Sequence, residues 1–235
     1  MLKTNKLQVP NHIAFVLDGN RRWAQKHRLN LFGHRQGGKR FEEVMNWCLE
    51  LGVPHISAYV LSTENLERPK DELQEIFSIM SDFLKKFEKK QSVFEKYEVK
   101  VRFVGNLNKL PPELVKLMGK IMQKTAKYQQ KALNILVAYG SKFELTEVMK
   151  KIAEKAIKAG KIEITQKDIE QNLLVPIPVD LVIRTGGMSR LSNFLLWQAA
   201  YAEIYFTKTL WPDFSKKELI KAIEWYNSAR KNFGK

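Results

Sequence analysis

Ile13-Ala14-Phe15-Val16-Leu17 is an unbroken apolar run that stops abruptly at Asp18, and no other feature limits the fold of this chain as tightly. Strands with one wet face alternate apolar and polar residues, whereas a continuous run suits a strand covered on both faces, as in a parallel sheet. The turn behind it, Asp18-Gly19-Asn20-Arg21-Arg22, changes character at once. Glycine and asparagine tolerate left-handed backbone angles, and Gly19 lets a ligand approach the main chain closely. The two guanidiniums beyond the turn suit an anion, because their bidentate fork matches phosphate oxygens. Taken alone, the turn reads equally well as a solvated loop with surface arginines.

Further apolar strands follow at Ile56 to Leu61, Val99 to Val104, Leu133 to Tyr139 and Val179 to Ile183. Between them lie helical stripes. Phe41, Val44, Met45, Cys48 and Leu51 recur at spacings of three and four, which predicts a helix from about Arg35 to Leu51, stopped by Gly52-Val53-Pro54. From Asp71 a second stripe carries Leu73, Ile76, Phe77, Met80, Phe83, Leu84 and Phe87, either an ordinary core face or one wall of a lipophilic pocket. Others start after Pro111-Pro112, run from Leu145 to Ala156 before Gly160, and carry Leu219, Ile223 and Tyr226 near the end; a short helix is expected around Lys167 to Leu173. Gln25 to Asn30 is polar and basic and carries no stripe.

Strands alternating with helices, with no repeat or linker to divide the chain, predict one α/β domain over 1–235. Its centre should be a mostly parallel sheet of about six strands, flanked by helices and joined by right-handed crossovers. Ligands bind beyond the carboxyl ends of strands in such sheets. The polar loops after Leu17, Leu61 and Ile183 should therefore share one edge. Arg184, Arg190 and Ser192 there could hold a phosphate or diphosphate among two cations and a hydroxyl donor. Glu203 is either a surface charge or an oxygen ligand for a hard metal, and Asp18 is the other acid with that potential.

Composition narrows the partners. Forty lysines and arginines against 25 acidic residues leave a net charge of +15, which draws the chain towards polyanions, anionic membranes or phosphorylated substrates. Cys48 is the sole cysteine, so no intrachain disulfide forms and a reducing compartment is the easier setting. The dozen uncharged residues from Leu191 to Ala202 fall well short of the roughly 18 needed for a membrane span. With no apolar signal core in the first ten residues, a cytoplasmic protein with peripheral membrane contact is the default expectation.

Several motifs, taken together, identify a family. His12-x5-Asp18-Gly19-Asn20-x-Arg22-Trp23-Ala24, Gly33-His34, Ser62-x-Glu64-Asn65-x2-Arg68-Pro69 and Arg184-Thr185-Gly186-Gly187-x2-Arg190-Leu191-Ser192-Asn193-Phe194 occur in order, followed by Glu203 and Trp211-Pro212-Asp213-Phe214. The set resembles the cis-prenyltransferases, the family of undecaprenyl and dehydrodolichyl diphosphate synthases, over nearly the whole chain.

The resemblance implies repeated condensation of isopentenyl diphosphate with an allylic diphosphate primer, farnesyl or geranylgeranyl diphosphate, giving a long polyprenyl diphosphate for glycosyl-carrier lipid. It also implies Mg²⁺ as cofactor and a homodimer. By position, Asp18 would bind Mg²⁺ and assist departure of the allylic diphosphate, while Gly19, Asn20, Arg21 and Arg22 cradle it. Trp23, His34, Ser62, Thr63, Glu64 and Arg68 would line the same region, and Asn65 matches the residue assigned to proton removal. Arg184, Arg190, Leu191 and Ser192 match the isopentenyl diphosphate site. Glu203 matches a second metal-contact acid, supplied across the homodimer. The stripe from Leu73 to Phe87 would then wall a hydrophobic product tunnel, where each buried methylene contributes roughly 0.8 kcal/mol. A neutral amide is a poor base, so Asn65 is expected to orient a relay through a diphosphate oxygen, with His34 the better titrating group.

The chain departs from the family pattern at five places. Asn30 stands where an arginine is usual, with Arg28 two residues earlier; Arg21 replaces a glycine common in bacterial members and is similar to archaeal and eukaryotic ones; Leu66 replaces a tryptophan of bacterial enzymes. Met188-Ser189 replaces a more polar pair, and Asn232-Phe233-Gly234 stands in place of an Arg-x-Gly motif for which Arg230 or Lys231 would substitute. Two other readings compete. A non-catalytic partner subunit would characteristically lose the Asp-Gly-Asn turn and several arginines, which this chain keeps. A basic nucleic-acid-binding protein would show exposed aromatics or a reading helix, whereas the apolar stripes here use most of the aromatics. No nucleic-acid partner is expected.

Overall fold

Six strands run through the computed structural model, which describes residues 7–29, 32–89 and 93–229. They are β1 (His12–Val16), β2 (His55–Ser62), β3 (Val99–Val104), β4 (Lys131–Tyr139), β5 (Leu181–Arg184) and β6 (Glu203–Phe206). Their order across the sheet is β3-β4-β2-β1-β5-β6, and every pairing is parallel. All of β1 is buried, which is why its sequence never alternates. Asn30, Arg230, Lys231 and Asn232 lie outside the described residues.

The pleat sends Ile13 and Phe15 to one face, Ala14 and Val16 to the other. The first face is covered by α2 (Phe32–Glu50), α3 (Lys70–Lys89), α5 (Pro112–Thr125) and α8 (Lys216–Ser228), whose Val44, Met80, Met118 and Leu219 join the main core. Burying one such side chain contributes on the order of 2 kcal/mol. On the second face a non-helical layer comes first. Val175, Val179, Phe194, Leu195 and Ala199 pack on the sheet, and α6 (Ser141–Ala159) and α7 (Gln166–Asn172) form a satellite cluster with Val148, Ile152 and Leu173. Glu144 of α6 joins the two, accepting from Leu174 N at 2.7 Å and Gln198 Nε2 at 3.1 Å. A short α4 (Val93–Lys96) precedes β3.

The polar stretch after Asn20 is a helix, α1 (Asn20–His27), which periodicity could not reveal because only Ala24 is buried. Gly19 caps it at φ 120°, a backbone angle that L side chains rarely adopt. The chain moves from β1 towards β2 on one side and returns to β5 on the other. That reversal opens a crevice at the carboxyl ends of β1 and β5. Among the described residues, no helix is long and apolar enough to cross a membrane.

Candidate active site

Asp18 stands at the crevice with one guanidinium on each carboxylate oxygen. Arg22 Nη2 donates to Oδ1 and Arg184 Nη2 to Oδ2, both at 2.9 Å. Arg22 is four residues on, in the first turn of α1, and its Nη1 also donates to the Gly186 carbonyl at 2.6 Å. Arg184 ends β5 and is buried; its Nη1 donates to Ser192 Oγ at 2.8 Å and to the Arg190 carbonyl. The Thr185 hydroxyl and Trp211 N both donate to the Asp18 carbonyl, at 2.7 and 3.0 Å. Asp18 is thus the junction between the loops after β1 and β5. One shared carboxylate lets two cations stand close without their mutual repulsion prevailing.

A second carboxylate organises the far side, and sequence reading missed it. Glu72, in the first turn of α3, is buried, with Arg68 Nη1 at 3.0 Å, His34 Nε2 at 3.5 Å and Arg21 Nε at 3.8 Å from its Oε1. The signal was the spacing: Arg68 and Glu72 are four apart where α3 begins, and such pairs meet on a helix. Burial pushes the His34 imidazole below its ordinary pKa and the Arg68 charge pushes the same way, against Glu72. His34 is therefore neutral at neutral pH.

α1 and α2 cross through glycine. A Cβ on Gly37 would fall 2.3 Å from Asn20 Oδ1, and one on Gly33 would fall 2.1 Å from the Asn20 carbonyl. Only glycine lets Asn20, and with it Arg21 and Arg22, settle so close to α2.

After β2 a single 3-10 turn (Glu64–Glu67) carries Asn65. Ser62 and Asn65 bond reciprocally, Ser62 N to Asn65 Oδ1 at 3.3 Å and Asn65 N to Ser62 Oγ at 3.1 Å. The carboxamide oxygen of Asn65 is an acceptor already in use.

These loops ring a cavity of about 900 Å³. Asp18, Gly19, Asn20, Arg21, Arg22, His34, Ser62, Glu64, Asn65, Arg68, Arg184, Arg190 and Ser192 all line it, so the three strand-end loops do meet as expected. Trp23, Thr63, Leu191 and Glu203 are not among its lining residues. Trp23 instead donates from Nε1 to Asp213 at 2.7 Å and stacks on His27, and Leu191 packs into the second-face core. Thr63 N donates to the Tyr139 carbonyl at 2.9 Å. Glu203 pairs with Leu181, which pairs with Ile13, so within this chain it sits at the opposite end of the sheet from Asp18. Lys142 and Asn193 line the mouth without having been singled out.

The rest of the wall is apolar: Ile76, Ile79, Met80, Phe83 and Leu84 of α3 face Phe41, Phe103 and Ile135. Both readings of the stripe after Asp71 apply, since Ile76, Met80 and Leu84 belong to the main core and also line the cavity. Ile76, Met80, Phe83 and Leu84 line the cavity, while Phe87 stacks on Phe94 at 5.1 Å in the core.

Residues 16–234 match a prenyltransferase family model described as putative undecaprenyl diphosphate synthase. The chain belongs to that family of cis-prenyltransferases. It is 39% identical to an isoprenyl transferase of Aquifex pyrophilus, over 97% of both chains. It is also 38% identical to a geranylgeranyl-diphosphate-specific tritrans,polycis-undecaprenyl-diphosphate synthase of Methanopyrus kandleri, covering 99% of this chain and 88% of that one. Among solved structures, lavandulyl diphosphate synthase from Lavandula x intermedia, in complex with dimethylallyl diphosphate, superposes with a TM-score of 0.87 at 29% identity, covering 97% of this chain and 99% of that one. A probable undecaprenyl diphosphate synthase from Campylobacter jejuni does so at 0.79 and 35%, covering 99% and 100%. A prenyltransferase making a polyprenyl diphosphate explains why one cavity joins a cluster of arginines to a long apolar wall.

Proposed function

We propose that this prenyltransferase condenses isopentenyl diphosphate repeatedly with an allylic diphosphate primer, with both diphosphates anchored around Asp18 and the growing chain lying along α3. The observation that carries this reading is the pair of guanidiniums on Asp18 at the polar end of a cavity walled by Ile76, Met80 and Phe83. Two trianionic substrates need concentrated positive charge, and their hydrocarbon needs apolar surface. The allylic diphosphate is assigned to Gly19, Asn20, Arg21, Arg22, His34, Ser62 and Arg68, and isopentenyl diphosphate to Arg184, Arg190 and Ser192. Glu64 lines the cavity beside Asn65, whereas Trp23, Thr63 and Leu191 act from behind, with side chain or backbone engaged elsewhere.

In each round the allylic C–O bond ionises, the isopentenyl double bond attacks the freed carbon, and a proton leaves C2 of the new unit. Arginines aimed at the departing diphosphate stabilise the charge that develops there. Asn65 Oδ1 accepts from Ser62 N, so Asn65 serves the proton step by orientation. The proton goes to a diphosphate oxygen, with neutral His34 as the titrating partner.

Asp18 fits the Mg²⁺ that the family implies: Mg²⁺ is commonly held by one or two carboxylates plus substrate phosphates, and among the described residues no cluster of three acids or histidines forms a closed cage. When bound there, Mg²⁺ neutralises diphosphate charge. Glu203, far from Asp18 in its own chain, reaches a metal only in a homodimer that brings it across from the second subunit. The exposed Tyr201, just before edge strand β6, and Phe206 at its end support such a partner. A charge of +15 supports peripheral contact with anionic membrane, where the product lipid is delivered.

Labelled isopentenyl diphosphate, offered with farnesyl or geranylgeranyl diphosphate with and without Mg²⁺ and resolved by mass spectrometry, tests the reading. Products longer by successive five-carbon units, in the Mg²⁺ arm alone, are expected. Absence of elongation with either primer would overturn it, and elongation without the metal would overturn the cofactor assignment.

A further inference from the structure

Three strand-end loops converge on Asn193. Its Oδ1 accepts from Lys142 N at 2.9 Å and its carbonyl accepts from Ser141 N at 2.8 Å, both amides opening α6. Its Nδ2 donates to Glu64 Oε1 at 3.1 Å, on the turn that carries Asn65. Gly140 makes room for the meeting, since a Cβ there would fall 2.5 Å from Asn193 Nδ2 and 2.8 Å from Thr63 Oγ1.

The backbone here holds a conformation that needs outside support. Ser192, Asn193 and Leu195 have φ of 52°, 64° and 44°, in the left-handed region where non-glycine residues are uncommon. Asparagine is among the few side chains that accept such an angle. It also offers an acceptor for the α6 amide and a donor for Glu64 on one planar group. Glycine would suit the angle and lose both bonds. Aspartate would keep the α6 bond but set a carboxylate against Glu64.

The two bonds differ in kind. The Oδ1 bond to Lys142 N holds the loop to its scaffold. The Nδ2 bond reaches Glu64 on the neighbouring turn, and both bonds are exposed. Its consequence is geometric: Asn193 adjoins Ser192, whose Oγ accepts from Arg184, and Glu64 adjoins Asn65.

We propose that Asn193 is a positioning residue that locks the isopentenyl diphosphate loop to the Glu64–Asn65 turn, so that the two substrates meet in register. The inference rests on the substrate assignment above. Condensation and removal of the C2 proton involve one isopentenyl unit, so the loop that holds its diphosphate and the turn beside its C2 must keep a fixed separation. Small misplacements of reacting groups cost rate steeply.

A cycle of wild type, Asn193→Asp, Glu64→Gln and the double variant tests this. Asn193→Asp should lower kcat/KM for isopentenyl diphosphate by about tenfold or more, through like charges placed face to face. Hydrogen exchange at the Lys142 amide should stay protected, as Oδ1 remains. In the double variant the carboxamide introduced at position 64 donates to the carboxylate introduced at position 193, so activity should return to that of Glu64→Gln alone. Losses that simply multiply, or an Asn193→Asp enzyme as fast as wild type, would overturn the lock. Should Asn193→Asp fail to fold, Glu64→Ala decides: the lock predicts a raised KM for isopentenyl diphosphate, and an unchanged one overturns it. Wild type is the separate arm for the parent reading. If it elongates nothing, the substrate assignment falls, and the lock is then judged by the same cycle on hydrogen exchange over residues 190–196, where additive effects refute it.

Discussion

The two halves of the site hold their cations by opposite means. On the side proposed for the allylic diphosphate, Arg21, Arg68 and His34 gather around Glu72, one buried carboxylate at the head of α3. Beyond β5 the chain from Thr185 to Ala202 forms no helix, and left-handed residues carry Arg190 and Ser192 into place under neutral bonds from the start of α6. Burying a counter-charge concentrates cations with few residues, but makes two guanidiniums and an imidazole depend on a single side chain. Strained backbone spreads that dependence over many hydrogen bonds, each individually modest. The first half should therefore yield to changes of charge, the second to changes of hydrogen-bonding geometry. Asp18 belongs to both, through Arg22 on one side and Arg184 on the other.

The largest effect should come where the halves join. Asp18→Ala removes the shared counter-charge and the expected metal ligand, and turnover should fall on the order of 10³-fold, as when a principal charge-stabilising group is lost. Steady-state kinetics should show both substrates affected; a variant keeping a tenth of wild-type turnover would mean that the halves do not depend on this junction.

His12 offers a control that belongs to neither half. Buried at the start of β1, it bonds the Pro178 carbonyl through Nδ1 at 3.0 Å and Ser57 Oγ through Nε2 at 2.8 Å. Burial lowers its pKa from 6.5 to about 4. Between those values the unfolded chain takes a proton that the native protein refuses, so stability is fully present above pH 6.5 and is lost as pH falls towards 4, by about 3 kcal/mol. His55, lowered by burial in the same direction, adds to this window. Thermal melts across pH 7 to 4 should show the decline in wild type and a shallower one in His12→Asn. Both halves should lose activity together over it.

Glu72→Gln separates the halves. It strips the counter-charge from Arg21 and Arg68 and weakens the contact to His34, and the KM for the allylic primer should rise about tenfold while that for isopentenyl diphosphate stays within about twofold. Varying each substrate in turn reads this directly. Equal rises in both would abolish the distinction drawn above.

How far the sequence could reveal this divide follows from what each half is made of. β1 through β5 and the long helices announce themselves because burial on a sheet or a stripe imposes apolar spacing, and strand order then brings Asp18, Asn65 and Arg184 to one edge. α1 escaped because it buries only Ala24. Glu72 escaped because its meaning lies in three partners from three elements, of which only Arg68 is near in sequence. Asn193 escaped for a similar reason: nothing local in Leu191-Ser192-Asn193 says that the start of α6 will come to meet it. Glu203 shows the converse, a residue that motif spacing assigns to the metal and that the fold of a single chain puts at the other end of the sheet.

His34 tests the allylic half most finely, since it is the imidazole of that half, held below its ordinary pKa by burial. Its pKa lies below the ordinary 6.5, pushed there first by burial and then by Arg68. As pH falls through that value the imidazole gains a proton beside Arg21 and Arg68. Two consequences follow with opposite signs: a third cation should tighten the hold on the primer diphosphate and lower its KM, while loss of the neutral imidazole should lower kcat. Measured from pH 8 to 5, the wild-type profile should therefore show kcat and the primer KM declining together, by a few-fold, below the ordinary histidine value. His34→Gln should flatten both limbs. If KM alone declines and kcat stays level, His34 contributes charge to primer binding and the proton leaves by the diphosphate without it. The allylic half would then be an electrostatic cradle only, built by Glu72 for binding and not for the proton step.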